Sequence, residues 1–561
     1  MFIEPVHNED LQQPEKEKAF IFFALLAYSA VAITGIFFHP LWRDEFHTWS
    51  IAGASSSLRE LLRNKAYEGH PNLWYLLLYA LRFLSDNPLL MQLIHVMIAI
   101  ATVFLVLKYA PFTRLQKTLL VFGYFYLFEY ALISRNYAIG VFLITLLLTL
   151  YQYRQRLLFP LSLILFLLTQ TNVFGLILTV AFLLTGTFEF IFSRAFRIDL
   201  LKRKLILLLS VLMITAGIAL SLYSIIPPAS GYFAGSSHFS LVQMTLRETI
   251  RTVATVWKAW FPIPRLNFQF WNTNIVRIEL IQAILSLILV FSAGLFFIKR
   301  PVIFFLYITG MTGIIAFILM YYYGYVRHHG HLYILLITCL WLKSFYRENN
   351  NTLRYRITEK FHGWLNKNAG RIFLILLVIQ MFAGIYAYTV QLFVPFSAAR
   401  MTAGYIREQN LDRFLIAGDA DVALEPVLGY LNKEAFFFSR NAFSTYLIYD
   451  QRRNIPTLST VLVMADSLIK VHGDTILLVM NYPLKEPTGL NLRKVQSFEK
   501  SIRYDEIYYL YLLCSMERKP LLSSREIIKQ TEAQYNQRTD AAFCQCYSTL
   551  FQRKEIHPDI Y

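Results

Sequence analysis

The chain has 561 residues, of which 56% are hydrophobic, and its mean hydropathy is +0.44. A water-soluble domain of this length would hold far fewer apolar residues. Runs of roughly 18 or more apolar residues recur, and this pattern predicts a polytopic helical membrane protein. The formal net charge of +17 does not indicate nucleic acid, because lysine and arginine collect near anionic lipids in membrane proteins. We therefore expect membrane lipids, and no nucleic acid, as partners.

Eleven apolar segments are predicted to form membrane helices, at residues 20–38, 89–107, 119–133, 138–150, 157–168, 174–191, 205–226, 278–298, 302–320, 332–341 and 372–394. A further segment, residues 73–84, is apolar but short, and Pro71 and Pro88 stand on either side of it. Because a span needs about 20 apolar residues, we predict that this segment lies along the membrane. If it crossed, there would be twelve spans.

Basic residues on alternate loops predict the orientation of these helices. The loops at residues 108–117, 154–156, 194–204, 299–300 and 343–360 are rich in lysine and arginine and alternate with basic-poor loops. The positive-inside rule puts the basic loops in the cytoplasm. The N-terminus is then cytoplasmic, whereas the Asp44 loop and the C-terminal tail are external; if residues 73–84 crossed, the Asp44 loop would be cytoplasmic.

This organisation predicts two domains: an all-α polytopic membrane domain over residues 1–397, followed by a small α/β soluble domain over residues 398–561. The tail has enough residues for one domain. Gly418 and Asp419 follow its first predicted strand without a glycine-rich phosphate-binding pattern, so we interpret them as an ordinary turn. The predicted strands are residues 414–417, 435–438, 445–449, 475–480 and 507–513, and the predicted helices are 422–431 and 458–471.

The first candidate site is the acidic pair Asp44-Glu45, which comes shortly after the first apolar run. Charged carboxylates so close to a bilayer boundary cost free energy, so they usually have a functional role or an oppositely charged partner. The pair is either solvated in a loop or a partner for Arg43 or Arg59, or it is a general base or metal ligand at a membrane-edge active site. Ser57-Leu-Arg-Glu60 is a capping-box pattern that predicts the start of a short helix.

Two further polar clusters lie at predicted external ends of spans. Arg135 and Tyr137, with Glu129 nearby, either anchor the membrane interface or bind a phosphate. The third cluster holds Arg327 with three histidines. It either binds a phosphate or zinc or is neutral filler at the membrane interface, and phosphate is favoured over zinc because the histidine spacing matches no common zinc pattern. These histidines are His328, His329 and His331. Residues 227–277 mix tryptophan with basic residues, which fits a sugar- or lipid-phosphate-binding surface or an interfacial amphipathic helix equally well.

The order of these motifs resembles the GT-C class of integral-membrane glycosyltransferases, in particular the protein O-mannosyltransferases and the lipid A aminoarabinose transferase. The residues that carry the resemblance are the acidic pair after the first span, the GHPNLWYLLLYAL segment and SRNYAIGVFL. The resemblance implies a sugar donor carried on a polyprenyl phosphate and a lipid, glycan or protein acceptor at the outer face. It also implies that residues 73–84 form a juxtamembrane helix.

By the same resemblance, Asp44 is the catalytic carboxylate with Glu45 beside it. Arg135 and Tyr137 are then donor-phosphate residues, and Arg327 with its three histidines lies near the carrier headgroup. The resemblance assigns His70, Asn72 and Glu129 to the substrate loop. The chain departs from the family pattern at Ile133, where many relatives have an acid, and at Asn72.

The resemblance implies an inverting glycosyltransferase of the bacterial inner membrane, with a periplasmic C-terminal domain. No cofactor is firmly predicted, and a divalent metal at Asp44 and Glu45 stays open because the relatives differ in this respect. The alternative is a transporter or flippase of lipid-linked precursors, which would have charged residues at mid-membrane depth inside broken helices.

Overall fold

A computed structural model describes residues 14–232, 245–349, 356–419, 421–472, 475–484 and 491–514. Its contacts divide the chain into two compact units. The first, here called the helical unit, comprises Met1–His39, Glu68–Pro227 and Ser236–Phe393. The second, here called the sheet unit, comprises Pro40–Tyr67, Pro228–Gly235 and Val394–Tyr561. The acidic pair therefore belongs to the same unit as the C-terminal tail.

The described residues form nineteen α-helices. They are α1 (Pro14–Phe37), α2 (Arg43–Gly53), α3 (Leu58–Asn64), α4 (Leu73–Arg82), α5 (Leu89–Tyr109), α6 (Arg114–Val121), α7 (Tyr137–Leu150), α8 (Leu158–Thr169), α9 (Val173–Phe192), α10 (Arg194–Leu201), α11 (Lys204–Ile225), α12 (Leu246–Trp260), α13 (Glu279–Phe297), α14 (Pro301–Met320), α15 (Val326–Leu342), α16 (Arg356–Phe393), α17 (Ala399–Glu408), α18 (Glu425–Leu431) and α19 (Leu458–His472).

Within the described residues, seven helices are long and apolar enough to cross a membrane: α1, α5, α9, α11, α13, α14 and α16. The chain is an integral membrane protein. Helices α4, α7 and α8 are apolar but shorter, and the predicted count of about eleven spans stays a prediction.

The predicted span at residues 119–133 is not one continuous helix. Helix α6 ends at Val121, and a separate π-helical segment follows at Tyr124–Glu129. Gly123 between them has an extended backbone with ψ 162°, which interrupts the helical ladder. Helix α16 approaches this break closely, since a Cβ atom on Gly384 would lie 2.8 Å from the Phe122 carbonyl oxygen. An all-round apolar stretch gives no periodic signal for such a break.

The sheet unit contains a six-stranded mixed sheet in the order β3-β2-β1-β4-β6-β5. Its strands are β1 (Leu415–Gly418), β2 (Ala435–Phe437), β3 (Ala442–Ser444), β4 (Ile476–Met480), β5 (Asn491–Phe498) and β6 (Tyr508–Cys514). Strand β1 is parallel to β2 and β4, whereas β3 and β6 run antiparallel to their neighbours β2 and β4. The predicted small α/β domain is confirmed.

Two details of the strand prediction are wrong. The predicted strand at 445–449 follows β3 as an irregular segment, and the Leu447 N–H donates to a Glu425 carboxylate oxygen at 2.7 Å instead of to a strand. Strand β5 was not predicted, because this edge strand alternates only weakly and carries Arg493 and Lys494. Charged residues are common on edge strands, where they discourage further pairing.

The segment after α1 packs into the sheet unit through α2. Phe46 of α2 lies against the Tyr430 ring with centroids 4.7 Å apart. Gly429 makes this close approach possible, because a Cβ atom there would lie 2.1 Å from the Phe46 ring. The capping prediction for α3 is confirmed, since the Ser57 side chain accepts a hydrogen bond from the Glu60 N–H.

Candidate functional site

Asp44 and Glu45 lie in the first turn of α2, and not in a loop as predicted. Their environments differ sharply. Glu45 is fully buried, and its Oε2 accepts a hydrogen bond from the Trp42 N–H at 3.1 Å, so it caps its own helix. The Asp44 side chain keeps 18% of its surface exposed, and its Oδ1 lies 3.8 Å from Arg43 Nε. Asp44 is thus the more accessible member of the pair.

Charged residues of the segment just before β6 contact this turn. The Arg43 N–H donates to Glu506 Oε1 at 3.1 Å, and Arg43 Nη1 donates to Asp505 Oδ2 at 2.7 Å. Arg503 binds the same carboxylate. Burial raises the pKa of Glu506 to about 8, although the positive charge of Arg43 works against this increase. Burial also opposes ionisation of Asp505, but Arg43 and Arg503 outweigh it and lower the pKa of that carboxyl.

The acidic pair does not offer a ready set of metal ligands. Within the described residues there is no group of three or more His, Cys, Asp or Glu side chains that could hold a metal ion. One Glu45 oxygen already accepts a backbone hydrogen bond. A divalent metal at Asp44 and Glu45 stays a prediction, and the proposed function contains no metal step.

A second cluster lies in the helical unit around Glu129. Its Oε2 accepts hydrogen bonds from the Tyr124 hydroxyl at 2.9 Å and from Trp271 Nε1 at 3.1 Å. The Arg327 guanidinium is buried; it lies 5.7 Å from the Trp271 ring centroid and 5.4 Å from that of Tyr325. Aromatic faces stabilise a guanidinium and hold its plane fixed. This cluster therefore combines a cation, a carboxylate and two aromatic walls at the start of α15.

The hydrogen bonds of the three histidines fix their tautomers. The Tyr325 N–H donates to His328 Nδ1 at 2.8 Å, so the proton of a neutral His328 is on Nε2, which lies 2.8 Å from the Tyr137 hydroxyl oxygen. His329 Nε2 faces the Tyr323 carbonyl oxygen at 2.8 Å, and His331 Nδ1 faces that of His328 at 3.1 Å. Each histidine is bound to a different partner, and the three do not converge on one ligand.

The remaining predicted residues lie near the start of α4. Arg135 is buried, and its Nη2 donates to His70 Nε2 at 3.1 Å. Asn72 precedes α4 as its N-cap residue, and its buried Oδ1 has no hydrogen-bond partner among the described residues. The structure thus brings together predicted site residues from distant parts of the sequence, Tyr137 with His328 and Arg135 with His70.

Several site residues carried no signal in the sequence. In the sheet unit these are Asp505 and Glu506, which precede β6 in an unremarkable polar stretch. In the helical unit they are Tyr124 and Tyr325, which the sequence does not distinguish from the tyrosines that are common at membrane interfaces. Trp271 lies in the stretch whose tryptophans suggested either a binding surface or an amphipathic helix; α12 is such an amphipathic helix, and Trp271 lies beyond its end.

No family model matches the chain, and no curated protein matches it. The solved structures that match include the crystal structure of ArnT from Cupriavidus metallidurans bound to undecaprenyl phosphate. The two sequences are 11% identical, the alignment covers 90% of this chain and 99% of the ArnT chain, and the TM-score is 0.48. A likeness of this size assigns no activity to this chain.

Proposed function

We propose that this protein is a GT-C-class membrane glycosyltransferase that moves a sugar from a polyprenyl-phosphate donor to a lipid, glycan or protein acceptor. The observation that carries the proposal is the difference within the acidic pair: Asp44 is partly exposed beside Arg43, whereas Glu45 is buried as a helix cap. A carboxylate that is fixed on a helix and accessible on one side is suited to act as a general base.

In the proposed reaction Asp44 removes the proton from the acceptor hydroxyl. The hydroxyl oxygen then attacks the anomeric carbon, and the bond between that carbon and the phosphate oxygen breaks. The phosphate leaves with the bonding electron pair, and the displacement inverts the anomeric centre. A phosphate leaving group needs positive charge more than it needs a proton donor, so the mechanism contains no separate general acid.

Arginine residues of the helical unit supply the positive charge in this proposal. Arg327 is assigned to the donor phosphate because its planar guanidinium can bind two phosphate oxygens at once. Arg135 is assigned to the same group, with Tyr137 as a hydroxyl donor whose orientation depends on His328. His70, Asn72 and Glu129 remain assigned to substrate contacts, and we place the reaction at the outer face of a bacterial inner membrane.

One observation favours the alternative of a transporter or flippase for lipid-linked precursors. The predicted span at residues 119–133 is interrupted at Gly123, and the carboxyl group of Glu129 is buried next to the interruption. Broken helices with buried charges are typical of transporters. A transporter would move the lipid-linked sugar without cleaving it.

The test is reconstitution of the purified protein in nanodiscs with polyprenyl-phosphate sugars that carry a radiolabel in the sugar. A nanodisc has no closed compartment, so it reports transfer and not transport. We expect labelled sugar on an added envelope-lipid acceptor with the wild-type protein and none with the Asp44→Asn variant. Movement of donor across proteoliposomes, with the sugar–phosphate bond intact in both proteins, would favour the transporter and contradict the proposal.

A further inference from the structure

The N-terminal turn of α2 receives one capping group from within the helix and another from a distant part of the sequence. The first N–H groups of a helix have no partner within the helix and need acceptors from elsewhere. Glu45 supplies one acceptor, to the Trp42 N–H. The acceptor for the Arg43 N–H is Glu506 Oε1 at 3.1 Å, 463 residues along the chain. The first residue of α2 is therefore hydrogen-bonded to the segment that precedes β6.

The side chain of Arg43 is held by the same segment. Its guanidinium is 2.7 Å from Asp505 Oδ2 but 3.8 Å from Asp44 Oδ1, measured from Nη1 and Nε respectively. Arg503 also binds the Asp505 carboxylate, with Nη2 donating at 3.0 Å. Asp505 thereby holds Arg43 at a distance at which it attracts the Asp44 carboxylate without forming a short ion pair with it.

The supporting segment is itself well anchored. Asp505 and Glu506 come directly before β6, which pairs with both β4 and β5. The Glu506 carbonyl oxygen accepts the Ala398 N–H at 3.1 Å, and the Glu506 side chain is fully buried. Arg503 lies over the Trp42 ring at 5.4 Å and so contacts the N-cap residue of α2. Functional side chains are positioned most precisely when the residues that support them belong to rigid elements.

We propose that Asp505 and Glu506 are positioning residues for Asp44. Glu506 fixes the first turn of α2, and Asp505 holds the Arg43 guanidinium so that it does not form a short ion pair with Asp44. This assignment of a catalytic task to the turn rests on the proposed function. The two acids themselves touch no reacting atom in the proposal. A displacement of a base by about 1 Å can lower the turnover of an enzyme by up to about a hundredfold.

The first experiment measures amide hydrogen exchange of the α2 peptide in the full-length protein in nanodiscs. We expect Glu506→Ala to increase exchange at residues 43–46 by about tenfold, the scale expected for loss of one buried hydrogen bond. Glu506→Gln should restore most of the protection, because its carboxamide oxygen can accept the Arg43 N–H. Strands β4 and β6 should keep their protection in a folded variant. Asp419→Asn is the matched control, because Asp419 is a buried acid of the same unit that directly follows β1.

The second experiment measures kcat and the KM for the polyprenyl-linked donor in the same variants. We expect Glu506→Ala and Asp505→Asn to lower kcat by about tenfold or more and to leave the donor KM within about twofold, because the proposed donor contacts lie on other residues. Glu506→Gln should recover kcat in part. Asp419→Asn should keep the wild-type values.

The two experiments separate the possible failures. Unchanged exchange of α2 in Glu506→Ala would overturn the positioning role whatever the activity. Increased exchange with an unchanged kcat would show that the turn is structural only, and it would also overturn the inference. An inactive wild-type protein with increased exchange in the variant would contradict the proposed function, while the fastening of α2 by Glu506 would stand.

Discussion

His47 Nδ1 of α2 lies 2.7 Å from Glu425 Oε2 at the start of α18, across 378 residues of sequence. Both side chains are buried. The other oxygen of Glu425 accepts the Leu447 N–H, so one carboxylate joins three segments of the sheet unit. A carboxylate in such a position has both oxygens satisfied, and removal of one partner leaves a buried polar group without compensation.

Glu425→Ala is therefore expected to destabilise the sheet unit by about 3–5 kcal/mol, the usual cost of breaking a buried pair. Glu425→Gln should be milder, because its carboxamide can still bind the Leu447 N–H and contact His47. The measurement is thermal unfolding of the detergent-solubilised protein, with amide exchange of α2 and α18 to locate the change. Equal melting temperatures for wild type and Glu425→Ala would contradict the structural role.

Local sequence patterns predicted those elements that are determined by neighbouring residues in the sequence. The Ser57 capping box marks the start of α3, and the apolar run predicted at 89–107 became α5 at Leu89–Tyr109. The break at Gly123 was not predictable, because the neighbouring residues are apolar on all sides and the closely packed partner is α16 from the end of the membrane region.

The candidate site shows the same division. Polar clusters at predicted span ends indicated Tyr137 and His328 as candidate residues, and the structure places the Tyr137 hydroxyl oxygen 2.8 Å from His328 Nε2. No local pattern indicates that Glu506 binds the Arg43 N–H, since the contact depends on how β6 is placed in its sheet. The different burial of Asp44 and Glu45 is likewise a tertiary property, because neighbouring residues on a helix point in different directions.

A second prediction separates the two members of the acidic pair. Asp44→Asn should lower turnover by about a hundredfold or more, the scale for loss of a positioned general base. Its melting temperature should be close to that of wild type, because the side chain is partly exposed. Glu45→Ala should lower stability by about 1 kcal/mol through loss of a helix cap. Initial rates and thermal melts of both variants make the comparison.

Glu45→Gln is the matched control, because its carboxamide oxygen keeps the cap while the charge is removed. Its turnover should stay within about tenfold of wild type, a smaller loss than that of Asp44→Asn. Near-normal sugar transfer by a well-folded Asp44→Asn protein would contradict the assignment of the base.

A third prediction concerns Arg327 and the donor phosphate. Arg327→Ala should raise the donor KM by about tenfold to a hundredfold, because a matched guanidinium–phosphate contact contributes up to about 3 kcal/mol. Arg327→Lys should recover part of the affinity, since lysine keeps the charge but lacks the planar fork that the Trp271 and Tyr325 rings flank. Binding is measured with a fluorescent polyprenyl phosphate.

Arg300→Ala provides the comparison for this experiment, because Arg300 is a half-buried arginine of the helical unit that pairs with Glu348 at 2.9 Å. This variant should bind the lipid like wild type. Equal donor affinity in Arg327→Ala and wild type would identify Arg327 as an interface anchor.

A fourth prediction tests orientation in the membrane. The alternation of basic loops predicts that a cysteine at Ser56 or at Ala442 reacts with an impermeant thiol reagent outside intact spheroplasts, whereas one at Ala195 does not. All three substitutions are made in a variant in which the native cysteines are replaced. Ser56 and Ala195 are exposed positions of the described chain, as is Ala442. Protection of the Ser56 site until the membrane is permeabilised would contradict an external acidic pair.

The last prediction uses Asp419, which follows β1 and accepts a hydrogen bond from the Tyr482 hydroxyl. Burial raises the pKa of Asp419 to about 8; the hydrogen bond from Tyr482 opposes this, and the charge of Asp421 adds to it. The ordinary pKa of an aspartate is about 3.9, so between about pH 4 and pH 8 the folded state binds a proton that the unfolded state has released. The contribution of this group to the free energy of unfolding is therefore greatest below about pH 4, and it falls as the pH rises towards 8.

Asp419→Asn removes this proton equilibrium and keeps an oxygen that can accept the Tyr482 hydrogen bond. We expect the variant to lose less stability than wild type between pH 5 and pH 8.5, and to be the more stable protein at pH 8.5. Thermal unfolding of the sheet unit across this range is the measurement, with Glu408→Gln as an exposed-acid control that should follow wild type. Parallel pH curves for wild type and Asp419→Asn would show that the Asp419 carboxyl titrates near its ordinary pKa in the folded protein.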